Sequence, residues 1–507
     1  MAGETVAEAG GTGAVGAPGT ILGMIAARGS APALVDPVGG TVLGYDELLA
    51  RVTGLAGHLA SLGLAPGDCV AYSAGNGADF VVTFLAAAAA GLASAPLNPA
   101  YTEAEFAAYL TDLRPGALLH LDGDERPALV AAGGAQGLRQ IPVRPSADHD
   151  EPFDPAGATP ESVALILHTS GTTSRPKGVP LAQANLTASM RSIIAGYRLG
   201  PADVSYCVMP MFHIHGLVAS TLSTLATGGT VVTPRRFSGS AFWADASRWG
   251  ATWYSAVPTI HRVLLTRAEG GELPGGHSLR FARSCSATLP PPEWQKLEDL
   301  LNVPVVEAYG MTEASHQMAT NPLPPDRRQP GSVGRATVGL EVGIVDESWT
   351  PQPADTPGEV VVRGPSVIRA YRDNPQADAV SFRDGWFRTG DEGTLDADGY
   401  LRLLGRIKEM INRGGEKISP YEVEAVLQTH PSVVEAAAFG APDPKYGEQV
   451  RVVVVLRSDA TPEELRGHCA DHLAGFKVPE QVIVLPEIPK GPTGKVQRRI
   501  LSKQVGT

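Results

Sequence analysis

From about Ser30 to Ile407 the chain alternates short β-branched runs with Ala- and Leu-rich stretches of helical length. Val163–His168, Thr230–Thr233 and Pro304–Ala308 read as buried strands. Parallel strands need long crossovers, which helices supply, so this alternation predicts helices layered on a substantially parallel sheet. The pattern changes near Gly405–Glu409. Downstream, Pro420–Thr429 and Pro462–Leu473 read as helices, and Val433–Phe439 and Val450–Leu456 as strands. The expected fold class is therefore α/β, a large multi-layer N-terminal domain with a small mobile α+β C-terminal domain. We place a disordered tail at 1–20, the large domain at 21–407 and the small domain at 408–507. A chain of 507 residues exceeds what one core supports.

Charge and cysteine usage narrow the function. The formal net charge is -12 with no long Lys/Arg run, which argues against a duplex nucleic-acid binder. Cys69, Cys207, Cys285 and Cys469 lack metal or redox spacing and read as reduced thiols of a cytoplasmic protein. No charged, apolar leader opens the chain. Phe80–Leu97 is the most membrane-like stretch, yet it is Ala- and Gly-rich and runs into a Pro-Asn-Pro turn. It predicts a buried helix followed by a short strand. Gly11-x-Gly13-x-x-Gly16 lacks the flanking strand and helix of a dinucleotide fingerprint, so it carries no nucleotide site.

The strongest local signal is His168-Thr-Ser-Gly-Thr-Thr-Ser-Arg-Pro-Lys-Gly178, directly after a strand. Hydroxyls of Thr169, Ser170, Thr172, Thr173 and Ser174 surround Gly171. Small residues let backbone N–H groups wrap a phosphate, and Lys177 adds a compact cation. The lysine precedes the second glycine and no Ser/Thr follows it, so this is not a Walker A loop.

With further motifs, the chain resembles the adenylate-forming enzymes, a family of acyl-CoA synthetases, luciferases and peptide-synthetase adenylation domains. These motifs are Met209–Gly216, Glu307-Ala-Tyr-Gly-Met-Thr-Glu313, Trp386–Asp391, Gly405–Lys417 and Pro489–Lys495, in the family's order. The resemblance implies that Tyr309 stacks on adenine, Thr312 contacts the α-phosphate and Glu313 holds Mg²⁺. An aromatic face and a hard carboxylate suit those tasks. It further implies that Glu307, Ala308 and Gly310 line the nucleotide site with Ser286, Ala287 and Thr288. Asp391 would accept the ribose hydroxyls with Arg406 assisting. Lys495 would stabilise charge on the α-phosphate, while Lys490 nearby reads as a solvated lysine. Lys408 aligns with the family's hinge. Gly414 and Gly415 would face an incoming CoA thiol, with a plain surface turn as the alternative.

Within the family the resemblance is to oxalate–CoA ligases. It rests on Leu167–Leu181, Arg283-Ser-Cys-Ser-Ala287, Met311–Met318 with Asn321-Pro-Leu-Pro324, Arg406–Glu409 and Asn412–Pro420. Gly310 departs from that branch, where alanine is expected. A second carboxylate in the acid pocket requires a donor or cation. Arg283, His213, His215 and His316 are the candidates. A zinc site at His213-x-His215 would need further ligands that the sequence does not nominate. The expected reaction consumes ATP, CoA and a small carboxylic acid, with no nucleic-acid or membrane partner, by a monomer or homodimer. The alternative acceptor is a carrier-protein thiol, an amine or another nucleophile. A silent scaffold would have lost Lys495, Glu313 or Asp391, and all three are present.

Overall fold

The structure, a computed structural model, describes residues 15–25, 27–145, 149–169, 177–273, 275–491 and 496–505. Two sheets build most of the large domain. One has six strands in the order Gln140–Val143, Ala117–Leu121, Cys69–Tyr72, Ala93–Pro96, Val163–Thr169 and Lys177–Ala182. All its pairs are parallel except the last. The second has nine strands, with Val305–Met311, Phe281–Cys285, Trp253–Ala256, Val204–Tyr206 and Thr230–Val232 parallel at its centre. Its outer pairs, including Val305–Met311 with His316–Thr320, are antiparallel.

The Phe80–Leu97 stretch folds as expected, into the helix Ala78–Ala89 and the strand Ala93–Pro96. Nearly every residue of that helix is buried, because small alanines let neighbouring elements approach on all sides. Among the described residues, no helix is long and apolar enough to cross a membrane. The four cysteines are buried and unbridged. Gly11 and Gly13 lie outside the described residues. Residues 15–20, placed in the tail by the sequence reading, are among those described. Thr20 is buried and caps the short helix Ile21–Met24 by accepting from Gly23 N.

A five-stranded sheet, Glu341–Val345 to Leu401–Arg406, leads into the single turn Ile407–Glu409. Beyond it lies the small domain. Helices Pro420–Gln428 and Pro462–His472 pack on the strands Val433–Asp443, Gly447–Leu456 and Gln481–Val484. The local chemistry explains these starts. Ser419 caps the first helix with Pro420 at its first position, and Thr461 and Glu464 form a capping box around Pro462.

Candidate active site

The phosphate side is built where two strands meet. Thr169 and Lys177 pair across the antiparallel strands Val163–Thr169 and Lys177–Ala182. The loop between them, with Ser170, Gly171, Thr172 and Thr173, lies outside the described residues. Glu313 comes to the base of that loop from the turn Thr312–Ala314. Its Oε1 accepts from Thr169 Oγ1 at 3.4 Å and from Tyr371 Oη at 3.1 Å. Lys177 Nζ sits 4.4 Å above the Tyr371 ring, and burial pulls its ammonium below the usual lysine range. The structure thus brings Thr169, Lys177 and Glu313 around Tyr371, with Thr312 beside Glu313 in the same turn. Tyr371 was missed, since it stands in no motif.

The nucleoside side is a cavity of about 70 Å³. Ser286, Ala287, Thr288, Glu307, Ala308, Tyr309, Gly310, Asp391 and Arg406 all line it. They come from parallel strand ends at Phe281–Cys285 and Val305–Met311 and from a hairpin that sets Asp391 opposite Arg406. Asp391 Oδ1 pairs with Arg406 Nε at 2.8 Å and Oδ2 accepts from Tyr309 Oη. Glu307 is fully buried. Its Oε1 accepts from Leu289 N at 3.0 Å, and burial raises its pKa to about 8. Tyr421, from the small domain, also lines the cavity and was missed by the motif reading.

On the acid side, Arg283 is completely buried, and the protein itself occupies its donors. Nε donates to Tyr197 Oη at 2.7 Å and Nη1 to Ser255 Oγ at 2.8 Å. Nη2 donates to His316 Nε2 and Gln317 Oε1, both at 3.0 Å. Arg283, expected as a candidate for the acid or as a satisfied structural group, thus spends its donors on protein partners, one of them Ser255 opposite it on the adjacent strand. Arg283 fixes the histidine tautomers. His316 accepts at Nε2, so its neutral ring carries the proton on Nδ1. Ser255 accepts from Arg283 and donates to His215 Nε2 at 2.6 Å, leaving His215 Nδ1–H for Ser286 Oγ at 3.1 Å. The two imidazoles stack 5.1 Å apart. His316 is held at φ 113 and Ser315 at φ 55, strained positions that cost about 1–3 kcal/mol each. A Cβ on Gly310 would lie 1.7 Å from the His316 carbonyl oxygen, so the departure to glycine fits this tight turn. His213 packs instead beside Phe212, ring centroids 4.5 Å apart, and is not part of the Arg283 network among the contacts described.

Lys408 lies exposed in the junction turn Ile407–Glu409, directly after Arg406. Gly414 and Gly415, at φ 62 and 97, form the two-residue turn between the strands Ile411–Arg413 and Glu416–Ile418. Lys495 lies outside the described residues. Lys490 is exposed, in keeping with the solvated lysine expected there. It pairs with Glu435 at 2.8 Å and lines a cavity of about 590 Å³ with Arg126, Arg235 and Arg236.

Comparison with known proteins places this geometry. Residues 25–372 match the family described as AMP-binding enzyme, and residues 422–495 match the AMP-binding enzyme C-terminal domain. The chain is 46% identical to an oxalate–CoA ligase of Arabidopsis thaliana over 87% of this chain and 89% of that one. It is 41% identical to an oxalate–CoA ligase of Saccharomyces cerevisiae, covering 86% of each. ATP-bound MatB from Rhodopseudomonas palustris superposes with a TM-score of 0.87 at 30% identity, covering 96% of this chain and all of that one. The chain therefore belongs to the AMP-binding enzyme family and carries the fold of an adenylate-forming acid–CoA ligase.

Proposed function

We propose that this AMP-forming acid–CoA ligase activates oxalate. The observation that carries the reading is the Arg283 network. A buried cation costs several kcal/mol unless an anion answers it, and no carboxylate among the described residues pairs with Arg283. An acid that keeps a second carboxylate after activation supplies that anion. His316, and Ser286 at the end of the Ser255–His215 relay, are the donors we assign to it. The two relatives named oxalate–CoA ligases support the same acid.

In the first half-reaction one carboxylate oxygen of oxalate bonds to the α-phosphorus of ATP and pyrophosphate leaves. In the second, the CoA thiolate bonds to the acyl carbon and AMP leaves. We assign charge stabilisation in the first step to Lys495, phosphate contact to Lys177 and Thr312, and the ribose to Asp391. The Glu313 carboxylate beside the Thr169 hydroxyl is an oxygen set suited to Mg²⁺. When bound, that ion neutralises phosphate charge. The cavity beside Lys490 is where we place the acceptor's cationic approach, since Arg126, Arg235 and Arg236 suit its phosphates. The protein then works in the cytoplasm as a monomer or homodimer.

The test is pyrophosphate and AMP release with oxalate, malonate, acetate, fatty and aryl acids, with and without CoA. Oxalate giving AMP and an oxalyl thioester supports the proposal. Pyrophosphate release without CoA-dependent turnover moves the acceptor to a carrier-protein thiol, an amine or another nucleophile. Silence with oxalate overturns the acid assignment.

A further inference from the structure

Outside the active site, one cluster joins two imidazoles and a carboxylate that no step of the reaction uses. His58 lies near the end of the helix Tyr45–Ser61, and His149 and Glu151 lie on the segment after residues 146–148. One ligand atom from each lies within 4.8 Å of those from the other two. His58 Nδ1 is 2.8 Å from Glu151 Oε1, and His149 Nδ1 is 3.9 Å from Glu151 Oε2. The rings stack 4.6 Å apart, with all three side chains partly shielded.

The contact is built into the helix. Gly54 and Gly57 let the 149–152 segment lie directly on its face. A Cβ on Gly57 would come within 2.5 Å of the Glu151 carbonyl oxygen, and one on Gly54 within 3.1 Å of His149. Each glycine costs a helix interior about 1 kcal/mol relative to alanine, so this close approach is maintained against local propensity.

The donor arrangement is that of a metal site. His149 Nε2 meets the Arg144 carbonyl oxygen at 2.8 Å, so this nitrogen carries the proton and Nδ1 presents its lone pair. A backbone carbonyl behind the ligating ring is the usual second partner of a metal-bound histidine. That lone pair faces Glu151 Oε2 at 3.9 Å, and either a second ring proton or a bound cation satisfies the two acceptors. Among the described residues, no Lys or Arg pairs with Glu151. Zn–N and Zn–O bonds of about 2.0–2.2 Å put two ligands of a tetrahedral ion about 3.3 Å apart. The 2.8 Å His58 Nδ1–Glu151 Oε1 contact is a hydrogen bond that a bound ion would displace, and the 3.9 Å pair is wider than that spacing.

We propose that His58, His149 and Glu151 bind a zinc-class divalent cation that clamps the 149–152 segment onto the helix Tyr45–Ser61. Water completes the coordination. The role is structural, since none of the three ligands belongs to the nucleotide or acid networks.

The test uses full-length protein stripped with chelator, dialysed, and titrated with zinc against a chromophoric competitor without ATP. One zinc per chain and a zinc-dependent rise in Tm are expected. His58→Gln and Glu151→Gln bind at least about tenfold more weakly, with ATP–pyrophosphate exchange unchanged. Cobalt added to the stripped wild type, which needs no variant to fold, gives a tetrahedral visible spectrum. No saturable binding, a six-coordinate cobalt spectrum, or unchanged affinity in both variants overturns the proposal. So does loss only in His468→Gln, which moves the site to the His430, His468 and His472 rings of the small domain.

Discussion

Arg283 acts through its neighbours, and a substitution there separates acid recognition from nucleotide binding. Arg283→Met removes the cation and frees both histidine tautomers. The KM for oxalate is expected to rise by roughly tenfold or more, because buried acceptors are left unpaired. The KM for ATP should stay near wild type, which steady-state kinetics on both substrates checks. Arg283→Lys should not rescue, since one ammonium cannot span Tyr197, Ser255, His316 and Gln317. Glu307 gives a pH signature. Its folded pKa of about 8 lies above the ordinary 4.5, so the native state holds a proton that the unfolded chain releases. The stability it contributes is full below about pH 4.5 and falls by about 1.4 kcal/mol per unit as pH rises, flattening above about 8. Glu307→Gln should lack this slope. Denaturant midpoints of both proteins at pH 6 and pH 9 measure the difference.

At the level of elements, the turn at Gly414–Gly415 carries two readings that one substitution distinguishes. Gly415 sits at φ 97 with nothing within 4 Å of an added Cβ, so Gly415→Ala is strained without being crowded. It should cost about 1 kcal/mol in stability. A turn that faces the thiol also loses CoA-dependent AMP release while pyrophosphate exchange persists. A plain surface turn keeps both. The sequence reading offered a surface turn here, and the structure shows the hairpin, whose two adjacent glycines take positive φ at both positions. Local logic located the helix Pro462–His472, whose Thr461, Pro462 and Glu464 sit at neighbouring positions. Tyr371 and Tyr421 escaped it. Each reaches its cavity from a segment distant in sequence, and a lone tyrosine has no local pattern to betray that.

Across the whole molecule, the junction at Ile407–Glu409 joins two bodies that an ion pair also bridges. Arg262 of the large domain approaches Glu435 of the small domain at 3.9 Å, while within the small domain Arg498 pairs with Glu409 at 2.9 Å and with Glu424 at 2.6 Å. Tyr421 of the small domain lines the same cavity as Tyr309 and Asp391, so a shift of the small domain reshapes that cavity. Lys408→Pro fixes φ at the junction. Pyrophosphate exchange and CoA-dependent AMP release are then expected to fall by different factors, because the two half-reactions need different domain positions. Equal losses in the two assays would reject Lys408 as the hinge.

The sequence by itself determined the layered α/β domain and the change of pattern near Gly405–Glu409, and its motifs, through the family resemblance, named most of the residues that line the Tyr309–Asp391 cavity. Those features are written in contiguous residues, as alternating apolar runs, caps and short motifs. Tertiary structure decided what the acid-side residues do. The sequence grouped Arg283, His213 and His316 as candidates with His215 a weaker one, and folding made Arg283 a donor to His316 that also approaches His215 while His213 stands beside Phe212. Folding also gave the exposed Lys490 a partner in Glu435 at the wall of a cavity. Strand register and long-range packing set those partners, and a linear sequence specifies them only once the chain has folded.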